Sequence, residues 1–485
     1  MKGKNSSAIR PILELIIIMI AASCSLSDYS AGSQDETVTS RPEEFRVSLK
    51  ELINYAFSSI DGITRTNVTS IEPIEYQGDT VLFLVNYKRG WKLFSADKRT
   101  SPVIAYSIEE KMTEELLEKN PLFRKWLDCQ CAYIHAIARN SNGEINRFWN
   151  RPEMDGETRT HEFGEPGWRL IHLGDTLIVN QSINHIVQTQ WGQDYPWNGC
   201  TPYLRTGFST RALTGCVNVA YAQMLYWAHS VWDIPEYMYI NADCSGSLHP
   251  NASYSFSFID SSMTAWNQIR ESAELTGNAD YAGYLMAKVS RYTETDYYGD
   301  EDVNGVTEER WTESSFSPSQ LTWLRQVFNM DGVFSSYSPT SVITNLYNQI
   351  PTIIGARWNT SMGHVWIIDG YQYETHKMKY FYIWDPDNTY IAPSYEEEEE
   401  DEDDPHQQVY GHGYSFVFPD GYETYSTEIT SNQHYYLMNW GWDGFGNSVF
   451  CDIYAAGWTP DGLVSPLIVS TANILTAFTP YHLNE

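Results

Sequence analysis

From Cys216 onward the apolar residues of this chain change their spacing once, and that change limits what it can fold into. Between Cys216 and Asn329 they recur with helical period, as in 216-CVNVAYAQMLYWA-228, in a stretch from about Ala265 to Arg291, and in 317-SPSQLTWLRQVFN-329 with its Ser317 cap and Pro318 in the first turn. From Thr352 onward they fall into short β-branched and aromatic runs: 352-TIIGARW-358, 364-HVWIIDGYQY-373, 379-KYFYIWD-385, 435-YYLMNW-440 and 448-SVFCDIYA-455. Helices first and sheet second is an α+β layout for a domain spanning 181–485, which opens on the segment 186-IVQTQWGQDYPWN-198.

A smaller unit precedes it. Within 46–150, Ser48 and Glu51 form an S-x-x-E opening, and Leu49, Ile53, Ala56 and Phe57 follow at helical spacing. A hairpin pattern then surrounds 88-KRG-90, with a third apolar run after Pro102. Helical spacing resumes near Thr113 and, broken near Pro121, runs through Leu127, Ile134 and Ile137. About a hundred residues of helix, strands and helix suit a self-contained domain. Between the two, 151–180 is expected to be an exposed linker open to proteolytic cleavage, because 150-NRPEMDGETRTHEFGEPG-167 is polar and rich in Pro and Gly.

The first 23 residues read as an export signal. Lys2, Lys4 and Arg10 precede 15-LIIIMIAA-22, which is too short to span a bilayer, and 21-AASC-24 resembles the end of a bacterial lipoprotein signal. Acylation of Cys24 would anchor the chain by lipid alone, with 24–45 as a flexible tether; ordinary secretion is the other reading. The formal net charge of −31 argues against nucleic acid as a partner. Removing Cys24 and one catalytic thiol from seven cysteines leaves five, which cannot all pair, so the chain is not a disulfide scaffold. Cys129 and Cys131 lack a second ligand pair for zinc.

Three stretches bear on chemistry. Gly215 permits a sharp turn that puts Cys216 in the first turn of a helix, where unpaired N–H groups favour a thiolate and can receive an oxyanion. Alone, such a cysteine is more often a small buried residue than a nucleophile. Gly363 leaves His364 uncrowded at the edge of a strand, as a general base requires, although a lone histidine is usually structural. In 439-NWGWDGFG-446, an Asn439 amide accepting the ring N–H of His364 would fix its tautomer, with Trp440 and Trp442 shielding that bond.

Taken in order, 189-TQWGQDYPWN-198, 215-GCVNVAYAQ-223, 363-GHVWIIDGY-371 and 439-NWGWDG-444 resemble the streptopain family of papain-like cysteine peptidases. The resemblance implies a papain-like fold, Cys216 as nucleophile, His364 as base, and Gln193 with the Cys216 N–H as oxyanion donors. It further implies Asn439, Trp440 and Trp442 around His364, no metal or organic cofactor, and protein or peptide substrates. The unit at 46–150, notably 91-WKLFSADKRTSPVIAYS-107, is similar to the family's propeptide, which would act as an intramolecular inhibitor.

Two departures stand out. An insertion at about 374–433 carries the acidic run 396-EEEEEDEDD-404, read as a solvated excursion, or else as a lid or a calcium-binding loop. Asp443 stands where family members often have Gly. A surface lipoprotein of the same fold, serving as a catalytically silent binding module or protease inhibitor, is the alternative reading. Transglutaminase-like acyl transfer is a more remote one.

Overall fold

The computed structural model describes residues 42–49, 51–52, 68–109, 111–140, 142–146, 149, 167–203, 210–231, 241–249, 252–259, 279–301, 307–328, 330–357, 363–387, 389, 419–453 and 472–480. The export signal, Cys24 and the acidic run lie outside these residues.

The N-terminal unit starts as its sequence implies. Ser48 and Glu51 cap each other reciprocally, the Ser48 N–H donating to Glu51 Oε2 at 2.8 Å and the Glu51 N–H to Ser48 Oγ at 3.2 Å. Four antiparallel strands follow: β1 (Val68–Tyr76), β2 (Asp79–Tyr87), β3 (Trp91–Ser95) and β4 (Val103–Ser107). The sequence pattern had marked the last three; β1 has too mixed a composition to signal itself. Helices α1 (Glu114–Lys119, capped by Thr113) and α2 (Pro121–Arg139) meet at the break near Pro121.

The larger part begins with β5 (Trp168–Ile183), so residues 168–180 belong to the sheet, not to the linker expected there. Their partner is β12, which the sequence did not show to be so long. Next come α3 (Cys216–Val231), a sheet of β6 (Asn241–His249) and β7 (Ala252–Ile259) with β8 (Asp296–Glu301) and β9 (Thr307–Glu313), and α4 (Ala279–Tyr292) between β7 and β8. This sheet was not anticipated, because its strands are rich in polar residues and Gly. The expected helix at Ala265–Arg291 is described only from Ala279 onward. Helix α5 (Gln320–Phe328) starts three residues after Ser317, whose N–H is accepted by the Gln320 side chain. The rest is β10 (Met330–Ser336), α6 (Pro339–Tyr347), β11 (Thr352–Arg357), β12 (Gly363–Trp384), β13 (Thr424–Asn439), β14 (Phe450–Asp452) and β15 (Ala472–Pro480).

The α+β expectation holds: helices and antiparallel sheet. The main sheet runs β1-β2-β3-β4-β14-β13-β12-β11-β15-β10, with β5 pairing β12. The runs 364–373 and 379–385 are one continuous strand, and the insertion begins and ends as the β12–β13 hairpin, Ile383 opposite Thr424.

The N-terminal unit is not self-contained. Its strand β4 pairs with β14, Tyr106 opposite Phe450 and Ala105 opposite Cys451, so one sheet crosses the junction. The core crosses too: Phe123 of α2 is fully buried, its ring 6.1 Å from that of Trp440 in an edge-on contact. At the same junction the Tyr106 hydroxyl donates to Glu374 Oε1 at 2.6 Å, and His376 Nε2 lies 3.0 Å from Oε2. Burial alone would push the Glu374 carboxyl up, but its bonds with His376, Tyr106 and Gln372 outweigh that and hold it below its ordinary value.

Asn120 fastens the junction at a single residue. It is fully buried; Oδ1 accepts the Phe123 N–H at 2.8 Å, capping α2, and Nδ2 donates to the Phe445 carbonyl at 2.7 Å. Asn120→Ala strips both bonds and leaves a buried carbonyl unsatisfied. Urea unfolding of the full chain should show a loss of about 2 kcal/mol.

Candidate active site

Helix α3 is buried on nearly every side, from Val217 through Leu225 and again at Trp227 and Ala228, rather than along the single stripe its spacing implied. It is the central helix of a core that includes Trp191, Trp197, Leu285, Trp323 and Ile367. A helix held so firmly fixes the position of its first residue, Cys216, which is half-buried. Gly215 ahead of it has φ +96°, and a Cβ there would lie 2.6 Å from Thr312 Oγ1. Gly215→Ala therefore meets both a disfavoured backbone conformation and a clash, a destabilisation of about 1–3 kcal/mol visible in chemical unfolding. Adding Thr312→Ala should recover only the steric share.

His364 reaches the same place from the sheet. Gly363 and His364 open β12 opposite Arg357 and Ala356 of β11. The backbone N–H groups of Val365, the residue after His364, and of Val217 and Cys216 itself favour the charged form of the Cys216 thiol. The structure thus brings the start of α3 to the start of β12.

Both groups are uncharged at neutral pH. Crowding by protein atoms pushes the Cys216 thiol up to about 11 against the pull of those N–H groups, and burial pushes His364 down to about 4. Nε2 of His364 faces the Trp440 carbonyl at 3.4 Å. A neutral ring that donates there carries its proton on Nε2 and leaves Nδ1 as the basic nitrogen.

This corrects the role expected of Asn439. Its amide does not meet His364: Nδ2 donates to the Thr189 carbonyl at 2.6 Å and to Gln223 Oε1 at 3.1 Å, and Oδ1 accepts from Gln223 Nε2 at 3.2 Å. The acceptor for the ring is instead the next residue's carbonyl. Trp440 is fully buried, donates its indole N–H to the Gly446 carbonyl at 3.1 Å, and stacks on Trp366 at 5.7 Å; Trp366 in turn lies 6.1 Å from the His364 ring. Trp442 is partly buried, and its Nε1 has no partner.

Gln193 is buried, and its Nε2 has no hydrogen-bond partner. Its own carbonyl accepts the Thr214 N–H at 2.8 Å, which ties the 190–198 strap to the turn entering α3. An unpartnered buried amide donor is costly unless a ligand supplies its acceptor.

Sequence reading did not single out Gln223, Trp366 or the Trp440 carbonyl. Gln223 follows Cys216 by seven residues, two helical turns, and so lies on the same face; that spacing was the available signal. A backbone carbonyl leaves no such trace.

The model of the Peptidase C10 family matches residues 191–385, a span that holds Gln193, Cys216 and His364. The resemblance to the streptopain family read from the four motifs is borne out by that match. No curated protein matches the sequence. Among solved structures the chain is similar to a fragment of Prevotella intermedia prointerpain A bearing a Cys-to-Ala mutation, at 16% identity and TM-score 0.46, covering 84% of this chain and 98% of that one. It is also similar to active wild-type Prevotella intermedia interpain A cysteine protease, at 15% identity and TM-score 0.34, covering 61% and 95%.

Proposed function

We propose that this chain is the precursor of an exported cysteine endopeptidase, anchored in a bacterial envelope through an acylated Cys24 and activated by proteolysis. The observation that carries the reading is that the helix opened by Cys216 packs on the strand that bears His364 at its start, Val217 and Val219 sharing one core with Val365 and Ile367.

Nδ1 of His364 takes the thiol proton, and the thiolate of Cys216 attacks the scissile carbonyl carbon. The oxyanion so formed is held by the Cys216 N–H and by Gln193 Nε2, whose lack of a partner in the free protein supports this role. The tetrahedral adduct collapses, breaking the C–N bond as histidinium gives its proton to the leaving amine. Water, deprotonated by His364, then releases the acyl group and restores the thiol. Every step uses this chain's own groups.

Latency is supported by the way the N-terminal unit holds the turn around His364. Asn120 bonds the Phe445 carbonyl, Phe123 packs on Trp440, and Lys119 sits 4.7 Å over the Phe445 ring. With β5 in the sheet from Trp168, the activating cut is expected between about 150 and 167, the N-terminal part of the 151–180 range. Incubating the purified full chain and following its mass tests this. A fragment beginning in that interval, missing from the Cys216→Ala chain, supports a self-processing zymogen. An intact wild-type chain that also leaves casein uncut would favour the silent binding module.

A further inference from the structure

The turn after β13 touches two parts of the site at once. At its start the Trp440 carbonyl faces His364. Three residues on, Asp443 reaches the strap that carries Gln193: its Oδ1 accepts the indole N–H of Trp197. Gly192, beside Gln193, approaches so closely that a Cβ on it would lie 2.2 Å from the same oxygen. The next residue of the turn, Gly444, packs equally tightly, since a Cβ there would lie 3.0 Å from the Gln190 amide.

The strap is tied to the body on either side of Gln193, the Trp191 N–H donating to Gln223 Oε1 at 3.3 Å and Asn198 Nδ2 to the Ala212 carbonyl at 3.2 Å. Its 194–198 segment is a turn closed by the Asp194 carbonyl, which accepts the Trp197 N–H at 2.8 Å and the Asn198 N–H at 3.2 Å. Trp197 is buried with its ring 5.9 Å from that of Trp191. Gln193 keeps its backbone tie to Thr214, but its side-chain nitrogen has none. Asp443 meets the strap on both sides of that side chain, at Gly192 immediately before Gln193 and at Trp197 four residues after it.

Asp443 is held at φ +52°, a left-handed conformation that Asp and Asn tolerate better than most side chains. A glycine would suit the backbone there, so the carboxylate does something beyond forming the turn.

We propose that Asp443 is a positioning residue that clasps the 190–198 strap to the tryptophan turn, so that Gln193 Nε2 is aimed at the oxyanion while the same turn orients His364. The inference rests on the peptidase reading. It assigns Asp443 no contact with substrate; its effect passes through Gln193. Burial pushes the Asp443 carboxyl up, countered by the Trp197 bond and by Lys119 and reinforced by Asp194.

The test is steady-state kinetics of the self-processed chain on a quenched fluorescent peptide, with thermal melts as a check on folding. Asp443→Gly removes the carboxylate without straining the turn, and Trp197→Phe removes the donor without touching Asp443. Each should lower kcat by about 30-fold with KM within about twofold, because the lost contact acts on a donor used in the transition state. Asp443→Asn, which keeps an acceptor for Trp197, should restore most of that kcat. In a Gln193→Ala background, Asp443→Gly should cost less than about twofold more, since two residues acting through one interaction are not additive.

Wild-type kcat in folded Asp443→Gly and Trp197→Phe would overturn the clasp, as would a full 30-fold loss persisting without Gln193. An inert wild-type chain would overturn the peptidase reading, and this inference with it.

Discussion

Replacing Cys216 with alanine should lower hydrolysis of casein by about 10⁴-fold or more while leaving the melting temperature of the full chain within a degree or two. The size follows from the chemistry: without sulfur no acyl-enzyme forms, and His364 and the oxyanion donors act only on water. Folding should be spared because Cys216 is the first residue of a helix already fixed by Val217, Val219, Ala220, Tyr221 and Met224. Initial rates over a range of enzyme concentrations check this, with a mock preparation setting the background. Casein cleavage at the wild-type rate by the variant would move the nucleophile elsewhere and remove the main support for the peptidase reading.

The elements that carry the site were legible because each combined a period with a punctuation mark. Gly215 before an apolar 3.6-residue repeat marked the start of α3, and Gly363 before an apolar run marked the start of β12. What the sequence hid were relations between elements. Nothing in β4 or β14 says that they pair, so the N-terminal unit read as separate although one sheet runs through both. Residues 168–180 read as linker because a strand whose partner lies about two hundred residues away has no local signal. Asn439 was assigned to His364 from its side chain, whereas the acceptor is the carbonyl of Trp440, a group every residue possesses.

Alkylation of Cys216 should be slow in the full chain at neutral pH and should accelerate as the pH rises toward 11. The thiol is raised to about 11, so only about 10⁻⁴ of it is thiolate at pH 7, and that fraction grows about tenfold per pH unit until the pKa is reached. His364, lowered to about 4, stays neutral across that range and gives the thiolate no cationic partner. On the proposed zymogen reading, a cut between 150 and 167 would free the N-terminal unit to leave the turn that Asn120 and Phe123 hold, and His364 would then accept the proton to form a thiolate–imidazolium pair. At pH 7 the processed chain should then react with iodoacetamide at least about 100-fold faster, and its rate should flatten with pH between the two new ionisations. Peptide mass spectrometry must score Cys216 alone, since the chain has six other cysteines. Fast, pH-independent labelling of the uncut chain would mean that the N-terminal unit does not restrain the site. Labelling that stays slow after the cut, and appears only on denaturation, would identify a fold that has kept the residues of a peptidase and uses them for binding.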